Sequence, residues 1–155
     1  MKKTYPILIL DDDEAILKAL LETLKLEGFV CHGTTHAKEA LSLLSQETFA
    51  IVLSDQRMAE INGTYFLQQV KEIQPKCSRI LITGVLTSEM FLEAINHAEV
   101  FRCLAKPWMR EHLIQTIKEA YRAFETKLAY EQAHQALLET NQRLMDENIQ
   151  LRQQQ

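Results

Sequence analysis

Acidic, hydroxyl and lysine side chains follow four of the apolar segments in this sequence, at the point where each segment ends. They are Asp11, Asp12 and Asp13 after the first segment, Asp55 after the third, Thr83 at the end of the fourth and Lys106 after the fifth. If two of the carboxylates lie about 4 Å apart, their repulsion costs roughly 4 kcal/mol at an effective dielectric constant of about 20. A cation is therefore expected, and Mg2+ fits because it prefers carboxylate and phosphate oxygens. Lys106 would supply a second positive charge.

The five apolar segments favour β-structure and alternate with segments of helical periodicity. They run over residues 7–10, 29–32, 49–53, 79–83 and 100–104. This alternation is typical of βαβ units around a parallel sheet whose strands are covered on both faces. We therefore predict an α/β fold with a doubly wound five-stranded parallel sheet. In such a sheet, ligands bind beside the carboxyl ends of the strands, where the polar residues named above would meet.

Four helices are predicted between the strands, because apolar residues recur there at spacings of three and four. Their apolar faces are Leu17, Leu20, Leu21 and Leu24; Ala37, Ala40, Leu41 and Leu44; Phe66, Leu67, Val70 and Ile73; and Phe91, Ala94, Ile95 and Ala98. Gly28 and Pro75 follow the first and third helices, at positions where helices commonly end.

A fifth helix is predicted from Arg110, since neither glycine nor proline occurs between there and Gln155. Near Tyr130 the pattern becomes a heptad repeat. Tyr130, Leu137, Leu144 and Leu151 occupy position d, and His134, Asn141 and Asn148 occupy position a. A second register through Leu138, Met145 and Ile149 competes with it. We predict a globular domain over residues 1–125 and a helical extension over 126–155, which serves as a coiled-coil dimerisation segment or a linker.

The composition excludes several other classes of protein. A chain of 155 residues with 46% apolar content suits one domain of ordinary size with some chain left over. Its apolar runs are far shorter than the roughly 20 residues that span a bilayer, so no membrane segment is expected. A net charge of -4 offers no basic surface for direct nucleic-acid binding. The three scattered cysteines predict neither disulfides nor zinc, and we expect a cytoplasmic protein.

Each polar residue also has an ordinary structural explanation when it is taken alone. Asp12, Asp13 or Asp55 would serve as helix caps, and Thr83 or Lys106 alone carries almost no information. Their joint placement at one edge of the sheet favours a functional site.

The sequence resembles response-regulator receiver domains over about residues 4–125. Four segments carry the resemblance: ILILDDD at residues 7–13, DQRM at 55–58 with Gly63 eight residues after Asp55, LITG at 81–84 and LAKPW at 104–108. They are similar to the family's acidic pair, phosphoacceptor loop, switch-threonine segment and lysine segment. The resemblance implies the strand order 2-1-3-4-5, with five helices flanking the sheet.

The resemblance also implies a role for each residue of the predicted site. Asp55 would accept a phosphoryl group from a sensor histidine kinase or a phosphotransfer protein. Asp11, Asp12, Asp55 and the backbone carbonyl of Arg57 would hold Mg2+, while Thr83 and Lys106 would contact the phosphoryl oxygens. The protein would then be a two-component switch rather than an enzyme, and phosphorylation would alter its conformation or the contacts of a homodimer joined by the C-terminal helix.

Two residues differ from the usual pattern of that family. Ala59 stands after Met58 where the family usually has proline, so a rigid φ angle is lost. Cys103, three residues before Lys106, stands where the family usually has tyrosine or phenylalanine. Phe101 has the same strand parity as Cys103 and would cover part of that surface.

Two other functions remain open on the sequence alone. One is a magnesium-dependent phosphatase with an aspartyl-phosphate intermediate, although Arg57 occupies the position where a second aspartate would act as general acid. The other is a structural dimerisation module that does not use its acidic pocket.

Overall fold

Five parallel strands form one sheet in the computed structural model, which describes residues 3–154. The strands are β1 (Ile7–Leu10), β2 (Cys31–Thr34), β3 (Ile51–Asp55), β4 (Ser78–Thr83) and β5 (Arg102–Ala105), in the order β2-β1-β3-β4-β5. This confirms the predicted sheet and its strand order. Because all strands are parallel, their carboxyl ends lie along the same edge.

Five helices alternate with the strands. They are α1 (Glu14–Leu26), α2 (Ala37–Gln46), α3 (Gly63–Ile73), α4 (Ser88–Ala98) and α5 (Arg110–Gln153). The predicted long last helix is confirmed. The chain divides into two structural units, one ending at Phe124 and the other beginning at Glu125. None of the helices in the described part of the chain is both long and apolar enough to span a membrane.

The sheet is buried on both faces, as its continuous apolar strands require. Alternate strand residues point to opposite faces. Leu8, Leu10, Val52 and Leu81 belong to one core cluster, together with buried residues of α2, α3 and α4. The first turns of α5 also bury residues, among them Leu113, Ile117 and Phe124. Ser78 of β4 donates its hydroxyl hydrogen to the carbonyl of Ala120 at 2.7 Å, which ties the sheet to α5.

Three strands begin two residues later than the apolar pattern predicts. Before β2, the Phe29 N–H donates to the Leu24 carbonyl at 3.1 Å, so Phe29 belongs to the closing turn of α1, where Gly28 has a φ of 92°. Before β3, the Phe49 N–H donates to the side chain of Gln74 instead of a neighbouring strand. The third case is β5, which begins at Arg102. β3 also ends two residues later than predicted, at Asp55 itself, which pairs with Ile82 of β4.

Candidate functional site

The three consecutive aspartates after β1 have different surroundings. Asp13 is the N-cap of α1, because its Oδ1 accepts hydrogen bonds from the N–H groups of Ala15 and Ile16. Asp11 is only 1% exposed, and its Oδ1 accepts a bond from the Asp13 N–H at 2.9 Å. Asp13 is therefore a helix cap, and the resemblance gave it no role in the site. Asp11 does not cap the helix and lies in the site.

Asp11, Asp12 and Asp55 form one acidic cluster. Each offers a carboxylate oxygen, and these three oxygens all lie within 4.8 Å of one another. Asp55 is 7% exposed at the end of β3, whereas Asp12 is exposed. Three hard oxygen donors around a small space fit Mg2+, which is usually held by one or two carboxylates together with phosphate oxygens. The predicted carboxylate cluster is thus present in the fold.

Lys106 places its ammonium group between two of these carboxylates. Its Nζ lies 2.9 Å from Asp55 Oδ1 and 3.1 Å from Asp11 Oδ2, with the lysine side chain 18% exposed. The Lys106 N–H donates to the Thr83 carbonyl at 2.8 Å, so the sheet contact between β4 and β5 continues to this residue. The lysine therefore reaches the cluster from the neighbouring end of β5.

The electrostatics of the site are set by burial and by these contacts. Burial raises the pKa of Asp11 above its ordinary value of 3.8, hydrogen bonds from the Asp13 N–H and Lys106 oppose this, and the charge of Asp55 adds to it. Burial lowers the pKa of Lys106, but its hydrogen bonds to Asp55 and Asp11 and the negative charges of these two carboxylates together outweigh this effect and leave the pKa raised. Lys106 therefore stays protonated beside the acidic cluster.

Thr83 lies at the expected edge of the sheet, but its hydroxyl group is engaged locally. Oγ1 donates to the Val85 carbonyl at 3.0 Å and accepts from the Val85 N–H at 3.2 Å. Thr83 itself is buried. The hydroxyl is thus bound to the loop that leads to α4 in this state.

Arg57 and Ala59 lie in the exposed loop between β3 and α3. Arg57 is two residues after Asp55, and the role of its carbonyl as a metal ligand stays a prediction. Ala59 donates its N–H to Asp12 Oδ2 at 3.1 Å, a bond that proline at this position would not make. Alanine at position 59, where the family usually has proline, therefore links this loop to the acidic cluster through its N–H group.

Cys103 is half-buried and packs against the core cluster on the side of α2, α3 and α4. Burial raises the pKa of its thiol, as expected for a packing residue. Phe101 is exposed before β5 begins, and the guanidinium group of Arg102 lies over its ring at 5.2 Å from the centroid.

Sequence reasoning missed two residues that shape the site. Gln56 and Thr64 are buried beside Asp55, and Gln56 Oε1 accepts bonds from both the N–H and the hydroxyl of Thr64 at 2.9 Å. Polar residues eight positions apart have no helical or strand periodicity that would mark them as partners. The one available signal was the position of Gln56 directly after Asp55.

Comparisons with known proteins agree with this geometry. The sequence profile of the response regulator receiver domain matches residues 7–118. The hydrogenase transcriptional regulatory protein HoxA of Cupriavidus necator is 36% identical over 121 residues, which cover 78% of this chain and 25% of that protein. The chain spans about a quarter of the length of the curated relatives it matches.

Solved structures show the same fold. The signal receiver domain of an HD domain-containing protein from Pseudomonas fluorescens Pf-5 has a TM-score of 0.78 and 28% identity, covering 83% of this chain and 96% of that one. A CheY-like response regulator receiver domain protein from Methanospirillum hungatei JF-1 has a TM-score of 0.76 and 29% identity, covering 81% and 99%. Because the profile covers most of the chain and the fold agrees, this chain belongs to the response regulator receiver domain family.

Proposed function

We propose that this chain is a phosphorylation-driven switch in which Asp55 accepts a phosphoryl group from a sensor histidine kinase or a phosphotransfer protein. The observation that carries the proposal is the position of Lys106 Nζ, within hydrogen-bonding distance of both Asp55 and Asp11 in a cluster of three carboxylates. We propose further that the protein is cytoplasmic and that it accepts the phosphoryl group without turning over small substrates.

The proposed transfer is a single displacement at phosphorus. An Asp55 carboxylate oxygen forms the new O–P bond while the bond between phosphorus and the donor imidazole nitrogen breaks. Asp11, Asp12, Asp55 and the Arg57 carbonyl would hold Mg2+. The ion, when bound, neutralises negative charge on the phosphoryl oxygens. Lys106 lies beside Asp55 and would neutralise one of these oxygens, so the chain contributes mainly positioning and charge.

The proposed switch begins at Thr83. Its hydroxyl now donates to the Val85 carbonyl, and to contact a phosphoryl oxygen it must give up that bond. The exchange would release the loop between β4 and α4 from its present conformation. Phosphorylation of Asp55 would thereby be coupled to the position of α4, because the loop connects directly to that helix.

The proposed output of the switch includes a homodimer formed through the C-terminal part of α5. Residues 129–154 are solvent-exposed throughout. Large apolar side chains, each at least half-exposed, recur in this segment every seven residues. These are Tyr130, Leu137, Leu144 and Leu151. A second copy of the same helix would cover this seam, while Asn141 and Asn148 at a would pair across the axis and favour two parallel strands in register.

The relatives suggest the pathway only in outline. HoxA is by name a transcriptional regulatory protein, and this chain corresponds to about a quarter of its length. We infer that the phosphorylated state signals to a transcriptional or other regulatory output, through contacts that depend on the dimer.

One experiment distinguishes the proposed switch from the alternatives. The protein is incubated with acetyl phosphate and Mg2+, and its intact mass is then measured. A stable gain equal to one phosphoryl group supports the switch. Continuous turnover of added phosphate esters would indicate a phosphatase, and neither gain nor turnover would indicate a purely structural module.

A further inference from the structure

The residue directly after Asp55 connects three elements of the fold. The Gln56 N–H donates to the Ile82 carbonyl of β4 at 3.1 Å, and the Gln56 carbonyl accepts from the Gly63 N–H at the start of α3 at 2.9 Å. The Gln56 side chain then accepts the two bonds from Thr64 described above. One buried residue thus joins the end of β3 to both β4 and the first turn of α3.

The first turn of α3 lies directly against Asp55. A Cβ atom added to Gly63 would come within 2.2 Å of the Asp55 carbonyl oxygen, which no side chain tolerates. The N–H groups of Gly63 and Thr64 both bind Gln56, so the N-terminus of α3 is satisfied by the residue next to Asp55. The first turn of α3 therefore packs against the backbone of Asp55 and is hydrogen-bonded to the residue that follows it.

The loop closed by these bonds contacts the acidic cluster through a backbone N–H group. It contains Arg57, the proposed carbonyl ligand, and Ala59, whose N–H binds Asp12. Arg57, Ala59 and Glu60 are exposed, whereas Met58 and Ile61 are partly buried and pack against the core cluster. The bonds of Gln56, which join the two ends of the loop, therefore act together with the packing of Met58 and Ile61 to define the loop conformation.

We propose that Gln56 is a positioning residue for the phosphoacceptor site, holding the loop of residues 57–61 in the conformation that binds Mg2+ beside Asp55. The inference rests on the proposed function, because it assigns Gln56 to the geometry of that same site. Gln56 acts through Asp55, Arg57 and Asp12, and it takes no part in the transfer itself.

The test compares Gln56→Met with Asn62→Ala. Methionine keeps the length of the side chain but lacks the acceptor for Thr64. Asn62 is the N-cap of α3, its Oδ1 accepting from the Tyr65 N–H at 2.8 Å, so its removal weakens the same helix turn without cutting the link to β3. Melting temperatures measured over a series of Mg2+ concentrations give an apparent Kd for each protein.

We expect Gln56→Met to raise the apparent Kd for Mg2+ by about fivefold or more, equivalent to about 1 kcal/mol. Asn62→Ala should lower the melting temperature and leave that Kd within about twofold of the wild-type value. If Gln56→Met does not fold, Thr64→Val gives the answer, since it removes only the hydroxyl donor and should raise the Kd by a smaller factor.

Two outcomes would overturn the inference, and they differ. If the wild-type protein responds to Mg2+ and both Gln56→Met and Thr64→Val keep its Kd, then Gln56 has only a structural role and the proposed function still stands. If the wild-type protein shows no response to Mg2+, both the proposed metal site and the role of Gln56 are wrong.

Discussion

The ammonium nitrogen of Lys106 lies 2.9 Å from Oδ1 of Asp55, although the two residues are 51 positions apart in the chain. The same nitrogen lies 3.1 Å from Asp11 Oδ2. One cation therefore serves two buried carboxylates, and both of them lose their counter-charge if it is removed.

Lys106→Met should destabilise the protein in magnesium-free buffer near neutral pH. Removing one partner of a fully buried ion pair costs about 3–5 kcal/mol, because the other charge remains buried and unpaired. Lys106 is partly exposed, so we expect a loss of about 2 kcal/mol in the free energy of unfolding. Urea denaturation followed by circular dichroism measures it.

Lys71→Met is the matched control for that experiment. Lys71 Nζ lies 3.0 Å from Glu99 Oε1, but these side chains are 33% and 61% exposed. Exposed ion pairs contribute only about 0–1 kcal/mol. Equal losses in the two variants would mean that the Lys106 contacts are no more important than an ordinary surface pair.

Asp11→Asn should change how stability depends on pH. Because burial raises the pKa of Asp11, the folded protein binds this proton more tightly than the unfolded chain does. The resulting stabilisation is complete below the ordinary pKa of 3.8 and is lost as the pH rises through the raised value. The free energy of unfolding of the wild type, relative to Asp11→Asn, should therefore fall over this range in magnesium-free buffer. A constant difference at every pH in urea titrations would contradict this.

Magnesium should raise the melting temperature of the wild type, since binding to the folded state alone stabilises it. Asp12→Ala should lose most of this rise, because it removes one of the three clustered carboxylates. Asp13→Ala is the control: it should lower stability by about 1 kcal/mol through loss of the α1 cap, while the response to Mg2+ is kept. If Asp12→Ala keeps the full rise, the metal binds elsewhere.

Removal of the chain after Lys127 should abolish dimerisation. Sedimentation equilibrium is expected to show a dimer of modest affinity for the whole chain, because polar residues at a weaken the seam. Leu144→Asp at position d should disrupt the dimer without shortening the chain, whereas Gln150→Asp at the outward c position should not. A monomeric whole chain at tens of micromolar, or a truncated chain that dimerises equally well, would identify this segment as a linker.

The sheet and the long helix were predictable from sequence because their signals repeat. Apolar strands such as Ile7–Leu10 alternate with helices of period 3.6, and α5 contains no residue that would end it. The carboxyl-edge rule then places Asp11, Asp55 and Lys106 together without knowledge of any contact.

Other features depend on contacts that leave no periodic signal. Without the family resemblance, the run of Asp11, Asp12 and Asp13 does not indicate which carboxylate caps α1 and which enter the cluster. Phe91 and Ile95 belong to the predicted apolar face of α4, yet both are about two-fifths exposed, and Ala94 and Ala98 form its buried face. The side-chain bonds of Gln56 and the bond from the Ala59 N–H to Asp12 join residues whose spacing in the sequence follows no helix or strand period.

The proposed acceptor is tested most directly by locating the phosphoryl group on the chain. Wild type and Asp55→Asn are incubated with acetyl phosphate and Mg2+, reduced with borohydride, which converts an aspartyl phosphate to homoserine, and analysed by peptide mass spectrometry. Asparagine is nearly isosteric with aspartate but cannot form the acyl phosphate. We expect homoserine at position 55 in the wild type and no modification in a folded Asp55→Asn protein. Unchanged phosphoryl uptake by Asp55→Asn, or homoserine at Asp11 or Asp12 instead, would contradict the assignment of Asp55.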